Sequence, residues 1–276
     1  MTEALLLALG ASLAWGVADF VGPWQGKTLG VLRVMLWGQV AGLALLGIVT
    51  VARGEAPGDW AVLWAAVAAL SGTLGLFAFY RGMATGTMSV VAPIAGASAI
   101  VPVVYGIATG DRPTALQLAG MAAAIVGVVL AAREQQAGGR RLAAGAGLAL
   151  LAAVGFGFYF PPMHAAGAAD PWWSAFVFRF TAAVVVLAAV AVRRPTLRLT
   201  RWPLVVVLAV GCVDTLGNLL FAASSSHGIV SVTSVLASLY PIVTVVLAAG
   251  VLHERVAGVQ RVGVVLTLAG VVLISV

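Results

Sequence analysis

The feature that most constrains this chain is a succession of apolar stretches, each long enough to cross a lipid bilayer as a helix of about 17–25 residues. They fall at roughly 4–22, 30–52, 60–80, 87–109 and 115–132, then at 142–162, 171–192, 202–226, 229–252 and 258–276. Inside hydrocarbon every backbone N–H and C=O needs an internal partner, which a helix supplies within one segment. Composition closes the alternative. The 276 residues are 62% hydrophobic and 9% charged, whereas a soluble domain carries about 25% charged residues. The expected fold class is an all-α polytopic membrane protein with ten transmembrane helices and short connections.

The start, "MTEALLLALGASLAWG", has Glu3 as its only charged side chain. It lacks the positive leader of a signal peptide and reads as the first span. A single cysteine, Cys212, excludes an internal disulfide and any multi-cysteine metal site. The net charge of +6 resides in arginines between apolar runs. That distribution suits lipid headgroups and membrane orientation, not nucleic acid.

The chain also repeats itself. "GMAAAIVGVVL" (120–130) and "GVVLTLAGVVL" (263–273) share both glycines and the closing Gly-Val-Val-Leu at an offset of 143. Gly75, Gly86, Ser89 and Val90 answer Gly217, Gly228, Ser231 and Val232 at 142, and Trp15-Gly16 answers Phe156-Gly157 at 141. Two five-helix repeats result, 1–132 and 142–276, joined by the linker "REQQAGGRR" at 133–141. Five is odd, so the second repeat enters the membrane from the opposite face. Inverted repeats around a central cavity are a recurring build of secondary transporters.

Connections after the odd-numbered spans hold Lys27, Arg81, Arg133, Arg140, Arg141, Arg193, Arg194, Arg198, Arg201, Arg255 and Arg261, with Arg33 close by. The opposite connections hold only Arg53 and Arg112. Cytoplasmic loops carry the Lys/Arg excess. The count therefore predicts both termini outside the cytoplasm, in a prokaryotic-type plasma membrane.

Several segments together resemble the EamA-type family of the drug/metabolite transporter superfamily. They are "LAWGVADF" in the first span, "MSVVAPIAGASAIVPVVYGIATGDRP" across the fourth and fifth, "SVTSVLASLYPIVTVVLAAGVLHER" in the ninth, and "VQRVGVVLTLAGVVL" in the tenth. The resemblance covers the whole chain in two copies. It implies a ten-helix carrier of small organic metabolites whose helices line a central cavity. It also implies an arginine–aromatic pair near Arg179. The "GDRP" and "HER" segments depart from the family's common Gly-Glu-Arg, and members are often placed with cytoplasmic termini, against the local charge count.

The candidate site residues are polar or aromatic side chains at membrane depth. In the eighth span, Asp214, Asn218, Phe221 and Ser225 share one helical face. An ionisable residue there faces the bundle interior or a wet cavity. Asp214 either exchanges a proton as the coupling site or pairs with Arg179, which lies too deep in the seventh span to reach headgroup water. Arg179 reads as a structural charge; its counterpart in the first repeat is Gly38 or Gln39, and that of Asp214 is Gly72. Candidate substrate contacts are Trp15, Asp19, Tyr80, Tyr159, Asn218, Ser238 and Tyr240. Aromatics with a few polar groups suit a small amphipathic organic solute, amino-acid-like or otherwise. The same aromatics also suit helix packing and interfacial belts. Ser231, Ser234 and Ser238, echoed by Ser89, Ala92 and Gly96, form small-residue stripes for close helix packing. With Pro93, Pro102 and Pro241 they mark the third–fourth and eighth–ninth spans as moving gates.

Catalytic and cofactor signatures do not assemble. In "GPWQGKT", Gly22 stands one residue too near Gly26 for a P-loop, and no strand precedes it. His164, His227 and His253 are scattered. The reading is a non-enzymatic secondary transporter without cofactor or metal. Its partners are a small-molecule substrate, membrane lipids and, if Asp214 couples, protons. A lipid flippase or passive facilitator is the nearer alternative, and an intramembrane lipid-modifying enzyme the more distant one. Sequence leaves the substrate, the direction of transport and the oligomeric state open.

Overall fold

The computed structural model describes residues 2–85, 95–131, 142–251 and 258–275, and all regular structure among them is helical. The first repeat contributes α1 (Thr2–Leu29), α2 (Val31–Arg53), α3 (Trp64–Thr85), α4 (Ile100–Thr109) and α5 (Ala115–Ala131). The second contributes α6 (Leu142–Ala169), α7 (Pro171–Arg193), α8 (Arg201–Ser224), α9 (Val230–Ala237), α10 (Tyr240–Val251) and α11 (Gly258–Ser275). Six helices are long and apolar enough to cross a membrane, and four shorter apolar stretches, 97–109, 115–130, 230–244 and 261–274, complete ten.

Local chemistry sets the boundaries. Between α1 and α2 stands one residue, Gly30, at φ 89°, where a side chain would be strained. The expected loop after the first span is therefore helical through Lys27. Asp170 starts α7 by accepting from the backbone N–H groups of Trp172 and Trp173 at 2.8 and 3.0 Å, with Pro171 in the first turn. Thr114 and Gln117 cap α5 reciprocally at 3.0 and 3.2 Å.

The ninth span, expected as one helix, is two. Ser238 and Leu239 form a turn between α9 and α10. Pro241 is the cause: it has no N–H to donate, and its ring would press on the carbonyl of Ala237 in a continuous helix. A 3-10 turn at Ala97–Ala99 precedes α4 at the matching place in the first repeat. Residues 86–94 of the fourth span, including Ser89, Ala92 and Pro93, lie outside the described residues, as does His253.

Packing follows an inverted two-fold relation. α3 lies against α6 as α8 lies against α1, while α2 pairs with α7 and α5 with α11 across the repeats. The contacts repeat residue by residue. A Cβ on Gly217 would come within 2.6 Å of the Trp15 ring, and one on Gly75 within 2.9 Å of Phe156. At the α5–α11 crossing, a Cβ on Gly120 would meet the Gly270 carbonyl at 2.7 Å, and one on Gly127, the counterpart of Gly270, the carbonyl of Gly263, the counterpart of Gly120, at 2.7 Å. Lipid tails give apolar helices no hydrophobic reason to associate, so close van der Waals approach through small residues holds such bundles together.

The bundle has two distinct ends. At one, Arg33 Nη1 donates to the Arg198 carbonyl at 3.5 Å and Trp37 Nε1 to that of Leu197 at 3.2 Å. At the other, Arg53 pairs with Glu55 at 2.6 Å and Asp170 at 3.7 Å, and His227 lies 3.6 Å from Glu3.

Candidate functional site

The polar side chains singled out above converge where the two repeats meet. A cavity of about 560 Å³, part of it open to the outside, is walled by α1, α2, α3, α6, α7, α8 and α10. Trp15, Asp19, Tyr159, Arg179, Asp214, Asn218 and Tyr240 all line it. Eight of the lining positions form four counterpart pairs: Trp15 with Phe156, Asp19 with Phe160, Gly72 with Asp214, and Leu76 with Asn218. The cavity therefore lies on the pseudo-two-fold axis.

Arg179 is its electrostatic centre. Only 1% of it is exposed. Nη1 donates to Gln39 Oε1 at 2.9 Å, and Nη2 donates to Asp214 in an ion pair. The guanidinium carbon lies 5.6 Å from the Phe178 ring centroid. Gly42 makes room for it, because a Cβ there would approach Arg179 Cδ and Nε to 3.1 Å. Gln39, one of the two first-repeat positions that answer Arg179, meets it face to face. Pairing and neighbouring hydrogen bonds are what make an ion pair tolerable at this depth.

Asp214 is both paired and accessible. Its side chain is 22% exposed and lines the cavity while held by Arg179. Sequence had posed these as alternatives; the structure combines them. Asn218, one turn on, donates from Nδ2 to the Asp214 carbonyl at 2.8 Å and accepts from the Tyr159 hydroxyl at 2.9 Å. The rest of that helical face turns inward to packing. Phe221 is fully buried against Trp15 and Phe160, and Ser225 donates to the Phe221 carbonyl at 3.1 Å.

The remaining candidates separate. Trp15 and Tyr159 meet edge to face at 5.7 Å, and Phe156 and Tyr240 at 6.2 Å, which gives the cavity rigid aromatic walls. Tyr80 lies outside the central cavity and lines a smaller adjoining one with Val34, Met35 and Val210. The two share Gln39, Leu76, Arg179 and Asp214, so the space continues from the centre toward the arginine-rich end. Ser238 sits in the α9–α10 turn, donates to the Val235 carbonyl at 2.9 Å and is absent from the lining.

Thr73, Leu76 and Phe178 line the cavity and were not singled out from sequence. A signal existed for two of them: Thr73 and Leu76 stand 142 residues before Thr215 and Asn218.

The end opposite the arginine-rich one is tied across the repeats. The Asp111 carboxylate, after α4, accepts from the Ser231 N–H at the start of α9 at 2.9 Å. Trp173 Nε1 donates to the Glu55 carbonyl at 2.9 Å, and within the second repeat His164 Nε2 lies 2.9 Å from the Gly228 carbonyl.

Ten membrane helices in two inverted repeats, with a cavity on the axis between them, define the architecture of a membrane transporter. Residues 2–133 and 143–276 each match the EamA-like transporter family, and the chain belongs to that family. It is thus an integral membrane transporter with a small-molecule substrate. A solved structure described as "Crystal structure of protein" shares the fold: TM-score 0.79 over 99% of this chain and 96% of that one, at 17% identity. No curated protein sequence matches the chain.

Proposed function

We propose that this protein is a secondary transporter that carries a small amphipathic organic metabolite by alternating access of its two inverted repeats. The observation that carries the reading is the axial cavity. It combines aromatic walls with three intramembrane charges, Asp19, Arg179 and Asp214, which the repeat does not duplicate. Charges at this depth are costly and are kept for function. The continuation of the cavity toward the arginine-rich end supports a carrier at rest with one side open.

Asp214 is the proposed coupling residue, because a carboxylate that is both paired and accessible can exchange Arg179 for a proton. In proteoliposomes, Asp214→Asn is expected to abolish uptake driven by a pH gradient while solute exchange persists. Proton-driven uptake unchanged in that variant would rule out the role. A thermal-stability screen against metabolites supplies the solute, since a ligand that binds only the folded protein raises its apparent stability.

The arginine-rich end is proposed to be cytoplasmic, with both termini outside. Single cysteines at position 2 or 275, with Cys212 replaced, are expected to react with an impermeant reagent in intact cells. Protection would reverse the orientation.

A further inference from the structure

We infer that the substrate carries a positive charge: an aromatic or otherwise apolar organic cation, seated by Asp19. The inference rests on the transport reading above and narrows it.

The first ground is charge. The cavity holds two carboxylates and one guanidinium, and the guanidinium is committed to Asp214. Asp19 is 8% exposed, lines the cavity, and has no basic partner within ion-pair distance among the described residues. With Arg179 taken by Asp214, Asp19 is the one cavity carboxylate without a counter-ion among the described residues. A cationic solute would neutralise it where solvent screens least.

The second ground is the wall beside that charge. Trp15 lies one helical turn before Asp19 on the same face of α1, and Phe156, Tyr159 and Tyr240 complete the aromatic side. Aromatic faces attract desolvated cations, Trp most strongly. Thr73 adds an acceptor: its hydroxyl is buried, lines the cavity and has no hydrogen-bond partner. Its counterpart Thr215 donates to the Gly211 carbonyl, so the free hydroxyl is peculiar to the cavity side of α3.

The test is binding to the purified full chain, followed by Trp fluorescence or thermal shift, with 2-phenylethylammonium, neutral 2-phenylethanol and anionic 3-phenylpropionate as probes. The ammonium is expected to bind at least tenfold more tightly than either of the others. Asp19→Asn is expected to erase that preference, Asp19→Glu to retain most of it, and Glu55→Gln, at an exposed carboxylate, to leave it unchanged. Equal binding of the three probes by the unaltered protein, which needs no variant to fold, overturns the inference. So does an undiminished ammonium preference in Asp19→Asn. The transport reading is judged separately in proteoliposomes. Ammonium binding without uptake of any solute keeps the cation site and removes the carrier. Uptake of a neutral or anionic solute without ammonium preference keeps the carrier and removes the cation site.

Discussion

The two repeats of this transporter are nearly interchangeable where helices touch and unlike where they face the cavity. Gly75 packs on Phe156 as Gly217 packs on Trp15, and the Gly120–Gly270 contact at the α5–α11 crossing is repeated by their counterparts Gly263 and Gly127. At the cavity the same offsets pair Gly72 with Asp214, Leu76 with Asn218, and Asp19 with Phe160. Helix crossings hold the bundle together through close contact of small residues, so both copies keep them. A bound solute has no two-fold symmetry, so its contacts need none. Duplication supplies the scaffold here, and divergence supplies the site.

The comparison breaks most sharply at Arg179. Arg179→Met leaves Asp214 without its partner, and removing one member of a buried pair costs about 3–5 kcal/mol. Because Asp214 is partly accessible, a loss near the lower end is expected, read as a large fall in thermal stability. The double variant Arg179→Met, Asp214→Asn should recover most of it. A double variant as unstable as the single one would show that α2 and α7 need the guanidinium itself, not charge balance.

The glycine crossings give a smaller effect and test their equivalence. Overpacking by one methyl costs about 1–3 kcal/mol. A Cβ on Gly75 meets backbone atoms of Gly155 and Phe156 as well as a ring, whereas one on Gly217 meets only the indole of Trp15. Gly75→Ala should therefore lose more stability, and Gly217→Ala more ligand affinity, because Trp15 lines the cavity. Identical losses in both readouts would make the crossings equivalent in function as well as in packing.

The smallest expected difference lies between the paired threonines. Thr215→Val removes a hydrogen bond to the Gly211 carbonyl, worth about 1 kcal/mol. Thr73→Val removes a buried hydroxyl without a partner and should leave thermal stability level or raise it. Equal destabilisation by the two would mean that Thr73 has a partner in the folded state.

Much of this was legible in the sequence. Hydropathy and the offsets of 141–143 carried the ten-helix inverted repeat, because both depend on segment length and spacing. The candidates that reached the cavity, such as Asp19, Asp214 and Asn218, were found as polar residues at membrane depth, where each demands a reason. The misses have physical causes too. Ser238 looked like part of a continuous polar stripe, but the Pro241 break turned it into a local hydrogen bond. Phe178 stands beside Arg179, where the resemblance implied an aromatic partner, but Phe176 and Phe180 are near it in sequence too, and only the fold shows which ring the guanidinium meets.

Sequence by itself determined the class of fold, the number of crossings, the duplication and the residues that violate the bilayer's preference for apolar groups. Helical periodicity also fixed which side chains share a face. It could not fix which face meets which helix, because that depends on close contacts between segments far apart in the chain. Only tertiary packing set Arg179 opposite Gln39, across the meeting of the two repeats. The same packing made Asp214 both ion-paired and open to the cavity.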